Sequence, residues 1–546
     1  MTETGNGNYR VQPVYRENGF VPGDEAESVS QTLEYAYDDW CIAAMAKRAG
    51  NNNAATDFGK RSQFWKNLFD PQSKFFRARR NNMFTEPFAA EEVNIHYTEA
   101  NAWHYSLYVP QDIRALTAMH GGNEALASHL DKMFTSSPAT SGREQADITG
   151  CIGQYAHGNE PSHHIPYLFN HVGQPHKTQF YVRKILDEFY KNAPDGLIGN
   201  EDCGQMSAWY ILSALGFYQV NPGREFYDIG TPLFKEAKIN LENGKSFVIK
   251  AANVSDTNIY VKSVKLNGSS QKSTMFAHRD LMNGGMFEFE MTDTPNETAF
   301  SEFSKSAIGN TDFVSAPLIE AKDRVFKGST TVSIKSNSKD AKILYSIDGG
   351  EPNLEYKQEF TIDKTTTIKA VAINSKGEKS QIVESKLNRL NHDWTVKLFS
   401  TYNRQYTGGG EQGLVDGIRG TVNFASGEWQ GYQAQDFVAV IDLQRETEIK
   451  KLGGGFLQVA RSWIWMPTKI EFETSNDNVN FTKVAEIKTD VSPEDMSEQF
   501  KDYKTSISPV RARYVRVKAT NLGKIPSWHP GAGDNAFIFV DEIFIE

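Results

Sequence analysis

Apolar positions in the first 230 or so residues recur at three- and four-residue steps. Val29, Leu33, Tyr37, Trp40 and Ala44 share one helical face, and Met206, Trp209, Leu212 and Leu215 share another. The same spacing predicts helices over about 57–69, 112–134, 160–171 and 175–191. Gly- and Asn-rich loops such as Gly121-Gly122-Asn123 and Gly196-Leu197-Ile198-Gly199-Asn200 separate them. Antiparallel helices in series pack as a bundle or toroid. Past residue 230 the period becomes two, in short runs such as Ser246-Phe247-Val248-Ile249-Lys250 and Ile259-Tyr260-Val261 bounded by Asn, Gly and Asp. A second stretch of strands, about 317–388, suits a small sandwich. A third, about 391–546, opens with Trp394, closes on Ala536-Phe537-Ile538-Phe539-Val540-Asp541-Glu542-Ile543 and suits a larger one. The expected architecture is therefore multidomain: an all-α region over 1–230, a β cap over 231–315, a small sandwich over 316–390 and a larger β-sandwich over 391–546.

Length and composition agree with that division. The chain has 546 residues, enough for three to four domains at roughly 150 residues each. With 39% hydrophobic residues it is too apolar to be disordered. Its 58 basic and 68 acidic residues leave a net charge of −10, and no dense Lys/Arg run is present. Nucleic acid is therefore excluded as a partner, because a phosphate backbone needs a basic face. No stretch reaches the roughly 20 apolar residues of a membrane span, and the opening MTETGNGNYRVQPVYRENGF lacks the apolar core of a signal peptide. The three cysteines, Cys41, Cys151 and Cys203, are too few and too scattered for a disulfide framework or a zinc site and read as core thiols.

Chemistry is expected in loops at helix ends, where polar groups converge over an apolar scaffold. Three clusters qualify. In Tyr97-Thr98-Glu99-Ala100-Asn101-Ala102-Trp103-His104-Tyr105, a carboxylate is surrounded in sequence by aromatic rings. Glu99 is either a general acid kept protonated by partial desolvation or an exposed residue at a helix start. The run His157-Gly158-Asn159-Glu160-Pro161-Ser162-His163-His164 packs three imidazoles, an amide and a carboxylate into eight residues. Asn159 and Glu160 offer oxygens suited to a hard cation such as calcium. Equally, the segment reads as a helix start with Pro161 in its first turn and its histidines in the core. In Gly199-Asn200-Glu201-Asp202-Cys203-Gly204-Gln205, Asp202 is either a helix cap or a base that activates water. Two separate carboxylates, one a proton donor and one a base, match the arrangement of glycoside hydrolysis; a gap of roughly 6.5–9.5 Å between them admits water and inverts the anomeric centre.

These segments, together with Ser28-Val29-Ser30-Gln31-Thr32-Leu33-Glu34-Tyr35-Ala36-Tyr37-Asp38-Asp39-Trp40 and the continuation of the third into Met206-Ser207-Ala208-Trp209, closely resemble glycoside hydrolase family 92, the calcium-dependent inverting exo-α-mannosidases. The resemblance implies that Glu99 protonates the departing glycosidic oxygen and that Asp202 takes a proton from the attacking water. It places Asn159, Glu160 and Asp202 as calcium ligands, and Trp103, His157, Glu160 and Asn200 against the sugar. Asn200 stands where some members carry an extra Asp. The family's fold is an N-terminal β-sandwich followed by an (α/α)6 toroid, and the resemblance begins inside the toroid. The expectation is a chain that lacks the sandwich and the pocket groups it supplies. The implied partner is mannose-containing glycan, and the implied setting of the parent protein is extracytoplasmic.

The segment 317–388 resembles the small Ig-like domain at the C-terminus of chitobiases. The last region, through Leu414-Val415-Asp416-Gly417 and Tyr514-Val515-Arg516-Val517, resembles a coagulation factor 5/8 type C, or discoidin-like, domain, often a carbohydrate-binding module. That likeness makes Arg461, Trp463, Trp465 and Trp528 candidate sugar contacts, with burial of the aromatics as the alternative, and implies a structural cation near Asp416 and Glu542. Two readings compete with a mannosidase. One is a non-catalytic glycan-binding protein acting through the discoidin-like domain. The other is a family member cleaving mannose-1-phosphate linkages, which has less need of an acid such as Glu99.

Overall fold

The computed structural model describes residues 11–308 and 313–546. The first ten residues, part of the opening read as lacking a signal core, lie outside the described residues. The chain forms two compact units. One holds Glu27–Arg79 and Phe84–Ser315 with the stretch up to Val21; the other holds Pro22–Ala26, Arg80–Met83 and Ala316–Glu546.

The first unit begins helical. Ser28–Arg48 is its longest helix, and Val29, Leu33 and Ala36 are its inward positions. Asn52–Arg61 packs against it, its first turn closed by the Asn51 side chain. The run expected as one helix over 112–134 is two, Ile113–His120 and Asn123–Thr135. The break is at Gly121 and Gly122, whose φ values of 112° and 114° lie where glycine is favoured. The stretch expected as a helix over 160–171 is wound as two 3-10 segments, Glu160–Ser162 and Ile165–Val172, each with proline in its first turn. Pro175–Phe189 and Gln205–Ala214 complete the helical part.

A five-stranded sheet follows, in the order Ser269–Ser270, Tyr260–Leu266, Gly285–Thr292, Ser246–Ala252 and Glu236–Asn240. Alternate residues of Ser246–Ala252 and Gly285–Thr292 point inward, so Phe247, Ile249, Phe287, Phe289 and Met291 form one core with Phe276.

In the second unit, Val325–Phe326, Val383–Arg389, Thr366–Ile373, Lys342–Ser346 and Leu354–Glu355 make one sheet, and Leu318–Ala321, Thr330–Lys335 and Phe360–Ile362 another. The C-terminal sandwich is built on two strands of 22 residues each, Phe437–Gln458 and Gln499–Thr520, whose pairing shifts register near Asp442 and Ile449. Such irregularities let long strands bend. Phe437, Phe456, Phe472, Val515 and Val540 fill the interior.

Two short segments from early in the chain belong to this unit. Asn82 Nδ2 donates to the Glu384 carbonyl at 2.6 Å, and Asn81 exchanges bonds of 2.9 and 2.8 Å with Lys386. Arg80 Nε lies 3.1 Å from Asp24 Oδ1, and Asn423 Nδ2 donates to the Asp24 carbonyl at 2.8 Å. Burial pushes the Asp24 carboxyl up to about 6.

Candidate active site

Three loops of the first unit meet at the ends of its helices. The first carries Glu99 on backbone with φ of 52°. Next to it Asn101 caps the short helix Ala102–Tyr105, accepting from Trp103 and His104 through its side chain, while His104 Nδ1 accepts from the Asn101 amide. Thr98 N donates to Ser30 Oγ at 2.9 Å. The aromatic neighbours do not enclose Glu99 as the sequence suggested. Tyr97, Trp103, His104 and Tyr105 are buried, Trp103 meeting Phe75 edge-on at 4.7 Å, and the left-handed turn carries Glu99 outward to solvent.

The second loop holds the histidine run. His157 is fully buried, with Nδ1 2.8 Å from the Tyr155 hydroxyl and Nε2 2.7 Å from the Tyr190 hydroxyl. His163 Nε2 donates to the His157 carbonyl and His164 Nε2 to the Leu107 carbonyl. Burial holds His157 well below its ordinary value and pushes His163 and His164 down to about 4. All three are neutral supports of the core.

What emerges from this core is Asn159 and Glu160. Asn159 Nδ2 lies 3.3 Å from Glu99 Oε2, which joins the first loop to the second. Glu160 Oε1 is buried without a hydrogen-bond partner, and the group's pKa is raised, first by burial, then by the facing Asp202 and Glu99 carboxylates.

The third loop, at the start of the helix Gln205–Ala214, carries Asp202. Its φ is 45°, that of Cys203 is 57° and that of Gly204 is 95°. Glu201 accepts from Ser207 N at 3.2 Å and from Ser207 Oγ at 3.0 Å, so it occupies the helix start. Asp202 is therefore not the cap, and its exposed carboxylate is left for the neighbouring Glu160. The third loop is also held against the second: a methyl group on Gly199 would come within 2.6 Å of the Gly158 carbonyl oxygen. Asn200 Nδ2 donates to Asp147 Oδ1 at 3.3 Å.

Glu99, Asn159, Glu160 and Asp202 thus converge, with Asn200 turned to Asp147 at one side, whereas Trp103 is buried against Phe75 and His129 and His157 against the Tyr155 and Tyr190 hydroxyls. Glu201 and Asp147 were the residues that sequence reasoning left without a role; the Glu201-to-Ser207 spacing was the available signal for the first, whereas Asp147 is revealed only by its contact with Asn200. None of the three cysteines is the fully buried core thiol expected: Cys151, on the short strand Cys151–Ile152, and Cys203 are exposed, and Cys41 is half-buried.

The donor set Asn159, Glu160 and Asp202 is all oxygen, and the orphaned buried oxygen of Glu160 beside a second carboxylate is the arrangement a hard cation relieves. Among the described residues, no group of three or more His, Cys, Asp or Glu stands ready to hold a metal.

In the C-terminal sandwich the candidate sugar contacts part company. Trp465 is buried, donating Nε1 to the Pro493 carbonyl at 3.0 Å, and Trp463 packs partly buried beside Gly531. Arg461 is paired with Glu498. Trp528 alone of the three tryptophans is largely exposed, at 43%. Burial lifts Asp416 to about 7, with the Glu428 and Asp541 carboxylates adding to it, and lifts Glu542 to about 9, with the Asp416 carboxylate adding to it.

Residues 2–293 match the glycosyl hydrolase family 92 catalytic domain, 322–384 the chitobiase/beta-hexosaminidase C-terminal domain and 396–536 the F5/8 type C domain. A solved family GH92 alpha-mannosidase from Bacteroides thetaiotaomicron superposes with a TM-score of 0.52 at 40% identity over 56% of this chain and 41% of that one. The structure of that enzyme in complex with mannoimidazole gives 0.52 at 37% identity over 56% of this chain and 43% of that one. An uncharacterized secreted glycosidase of Arthroderma benhamiae is 23% identical over 313 residues, 51% of this chain and 38% of its own length. The chain therefore spans about two fifths of the length of these relatives. No helix among the described residues is long and apolar enough to cross a membrane. With more than half of its residues in the catalytic-domain match and the motif loops assembled at one mouth, the chain belongs to glycosyl hydrolase family 92.

Proposed function

We propose that this chain carries the acid–base face of an inverting exo-α-mannosidase that removes terminal α-linked mannose from glycans outside the cytoplasm. The observation that supports it is the meeting of Glu99, Asn159, Glu160 and Asp202 at one mouth, through the Asn159–Glu99 contact of 3.3 Å and the facing of Glu160 and Asp202. The α-mannosidase neighbours and the secreted glycosidase relative support the substrate and the setting. In this reading Glu99 donates its proton to the departing glycosidic oxygen as the bond breaks. Asp202 takes a proton from a water attacking from the opposite face, which inverts the anomeric centre. Asn159 orients the Glu99 carboxyl, and the buried histidines hold both loops still, so that neither carboxylate has to be reordered during the reaction.

Asn159, Glu160 and Asp202 would hold calcium, which when bound supplies positive charge to the facing carboxylates and a point of attachment for sugar hydroxyls. The remainder of a family enzyme, which this chain does not match, supplies further pocket walls in this reading. Turnover should accordingly rise when an N-terminal β-sandwich and the early helices of the toroid are joined to the chain. The test is mannose release from α-linked mannobioses and an activated α-mannoside, in calcium and in chelator, by the chain alone and by the extended chain. Release abolished by chelator is expected. Release indifferent to chelator would remove calcium from the reading, and no release by either protein would overturn the activity. A glycan-binding role for the discoidin-like domain has its own support in the exposed Trp528.

A further inference from the structure

The helical unit has a second concavity, of about 790 Å³, between the helix Ile113–His120 with the start of the next helix on one side and the segment Ser301–Ser306 on the other. That volume lies within the roughly 300–1,000 Å³ of small-molecule sites. The wall at 301–306 is firmly built. Ser304 N donates to Thr274 Oγ1 at 2.7 Å, Thr274 N to the Glu302 carbonyl at 2.9 Å, and Arg114 N to the Ser306 carbonyl at 3.0 Å. Arg224 Nη1 donates to the Lys305 carbonyl at 2.8 Å. This wall lies past residue 293, where the match to the family's catalytic domain ends.

Ser304 and Ser306 turn their hydroxyls inward, to Asp228 and the Pro110 carbonyl, which leaves Glu302, Phe303 and Lys305 as the accessible side chains of this wall. The half-buried ring of Phe303 lies over Gly173, whose φ of 84° and missing side chain leave room for it. Around the ring stand Arg114, Asn123, Glu302 and Lys305. Among the described residues, no ion pair engages the side chains of Arg114, Glu302 or Lys305. His171 also lines the space; its side chain is 3% exposed, and its Nε2, 3.2 Å from Asp228 Oδ1, is without an aligned hydrogen-bond partner.

We infer that this concavity is a second, non-catalytic saccharide site. A half-exposed aromatic face covers the C–H side of a sugar ring, while planar amide, carboxylate and guanidinium groups each pair with adjacent hydroxyls. Two cations are offset by Glu302, with Asp228 beneath, so the site favours a neutral polyol over a phosphate. The inference rests on the proposed function only for mannose as the test sugar.

The experiment is native electrophoresis of the whole chain through gels containing yeast mannan, with retardation followed against mannan concentration. The background protein carries Glu99→Gln, Asp202→Asn and Trp528→Ala, which stops hydrolysis of the mannan and removes the exposed tryptophan of the sandwich, so that binding at the second site is read from the further substitutions. It should still be retarded, and adding Phe303→Ala with Asn123→Ala should weaken that retardation about tenfold. Should Phe303→Ala lower the melting temperature, Asn123→Ala and Lys305→Ala, at exposed positions, carry the test instead. A background protein that is not retarded, or retardation unchanged by these substitutions, overturns the inference. Mannose release by the unsubstituted chain is a separate measurement, so failure of the second site and failure of the mannosidase reading are distinguishable.

Discussion

Glu99 stands on a left-handed turn with its aromatic sequence neighbours folded beneath it, so in the proposed reading its proton is delivered from a solvent-exposed carboxyl that Asn159 orients. The consequence depends on the leaving group. Glu99→Gln should cut mannobiose hydrolysis by about 10²–10⁴-fold and leave a dinitrophenyl mannoside much less affected, since that leaving group departs without a proton. Equal losses on both substrates would assign Glu99 to binding instead. The residue scale is also where the sequence was least legible. Which loops would meet was readable, because carboxylates, amides and glycines crowd together in each of the three. Which of their residues stood free was not: the choice between Glu201 and Asp202 as the helix-end group was decided by the Ser207 contact, and hydrophobic periodicity says nothing about a backbone that is not periodic.

At the scale of elements, the helices were legible as apolar stripes and the strands as alternation, and the departures have local causes. Gly121 and Gly122 divide one stripe into two helices, and the prolines at 161 and 166 favour tight turns where a continuous helix was expected. The contact between the loops at Gly158 and Gly199 is the most exacting of these local constraints. Gly199→Ala puts a methyl group against the Gly158 carbonyl on backbone with φ of 73°. It should cost about 1–3 kcal/mol of stability and lower hydrolysis further than stability explains, because the loop it displaces carries Asp202. Thermal melts read the first effect and mannose release the second. Activity unchanged in a destabilised variant would show that the loop contact does not position the base.

For the whole molecule, buried imidazoles and buried carboxylates carry opposite pH signatures, and the imidazoles dominate the first unit although burial also lifts its Asp39 to about 7. The first buries His104, His129, His163 and His164, each pushed down to about 4 from an ordinary 6.5, and His120, pushed to about 3. Such imidazoles take up protons more readily unfolded, so their contribution to stability is complete above about pH 6.5 and is lost as pH falls through 4. In the second unit Asp416 and Glu542 are raised to about 7 and about 9. Their contribution is complete below about pH 4 and is lost as pH rises through 7 toward 9. Calorimetry in chelator across pH 5–9, with hydrogen exchange to assign each transition, should show the helical unit melting lower on acidification and the β unit melting lower in base. Transitions that move together would contradict this.

The membership of Pro22–Ala26 and Arg80–Met83 in the C-terminal unit also bears on heredity. Three domains that look like separable cassettes along the sequence are not so in space. The Asn81 and Asn82 bonds to Lys386 and Glu384, and the Asp24 carbonyl on Asn423, bind short catalytic-module segments to both appended domains. Cutting the polypeptide between Ser315 and Ala316 leaves those segments on one product and their hydrogen-bonding partners on the other. Recombination that exchanged the appended domains for others would strand Arg80 and Asp24 in the same way. The tail of this protein is thus tied to the composition of its head, and the two are expected to be inherited together.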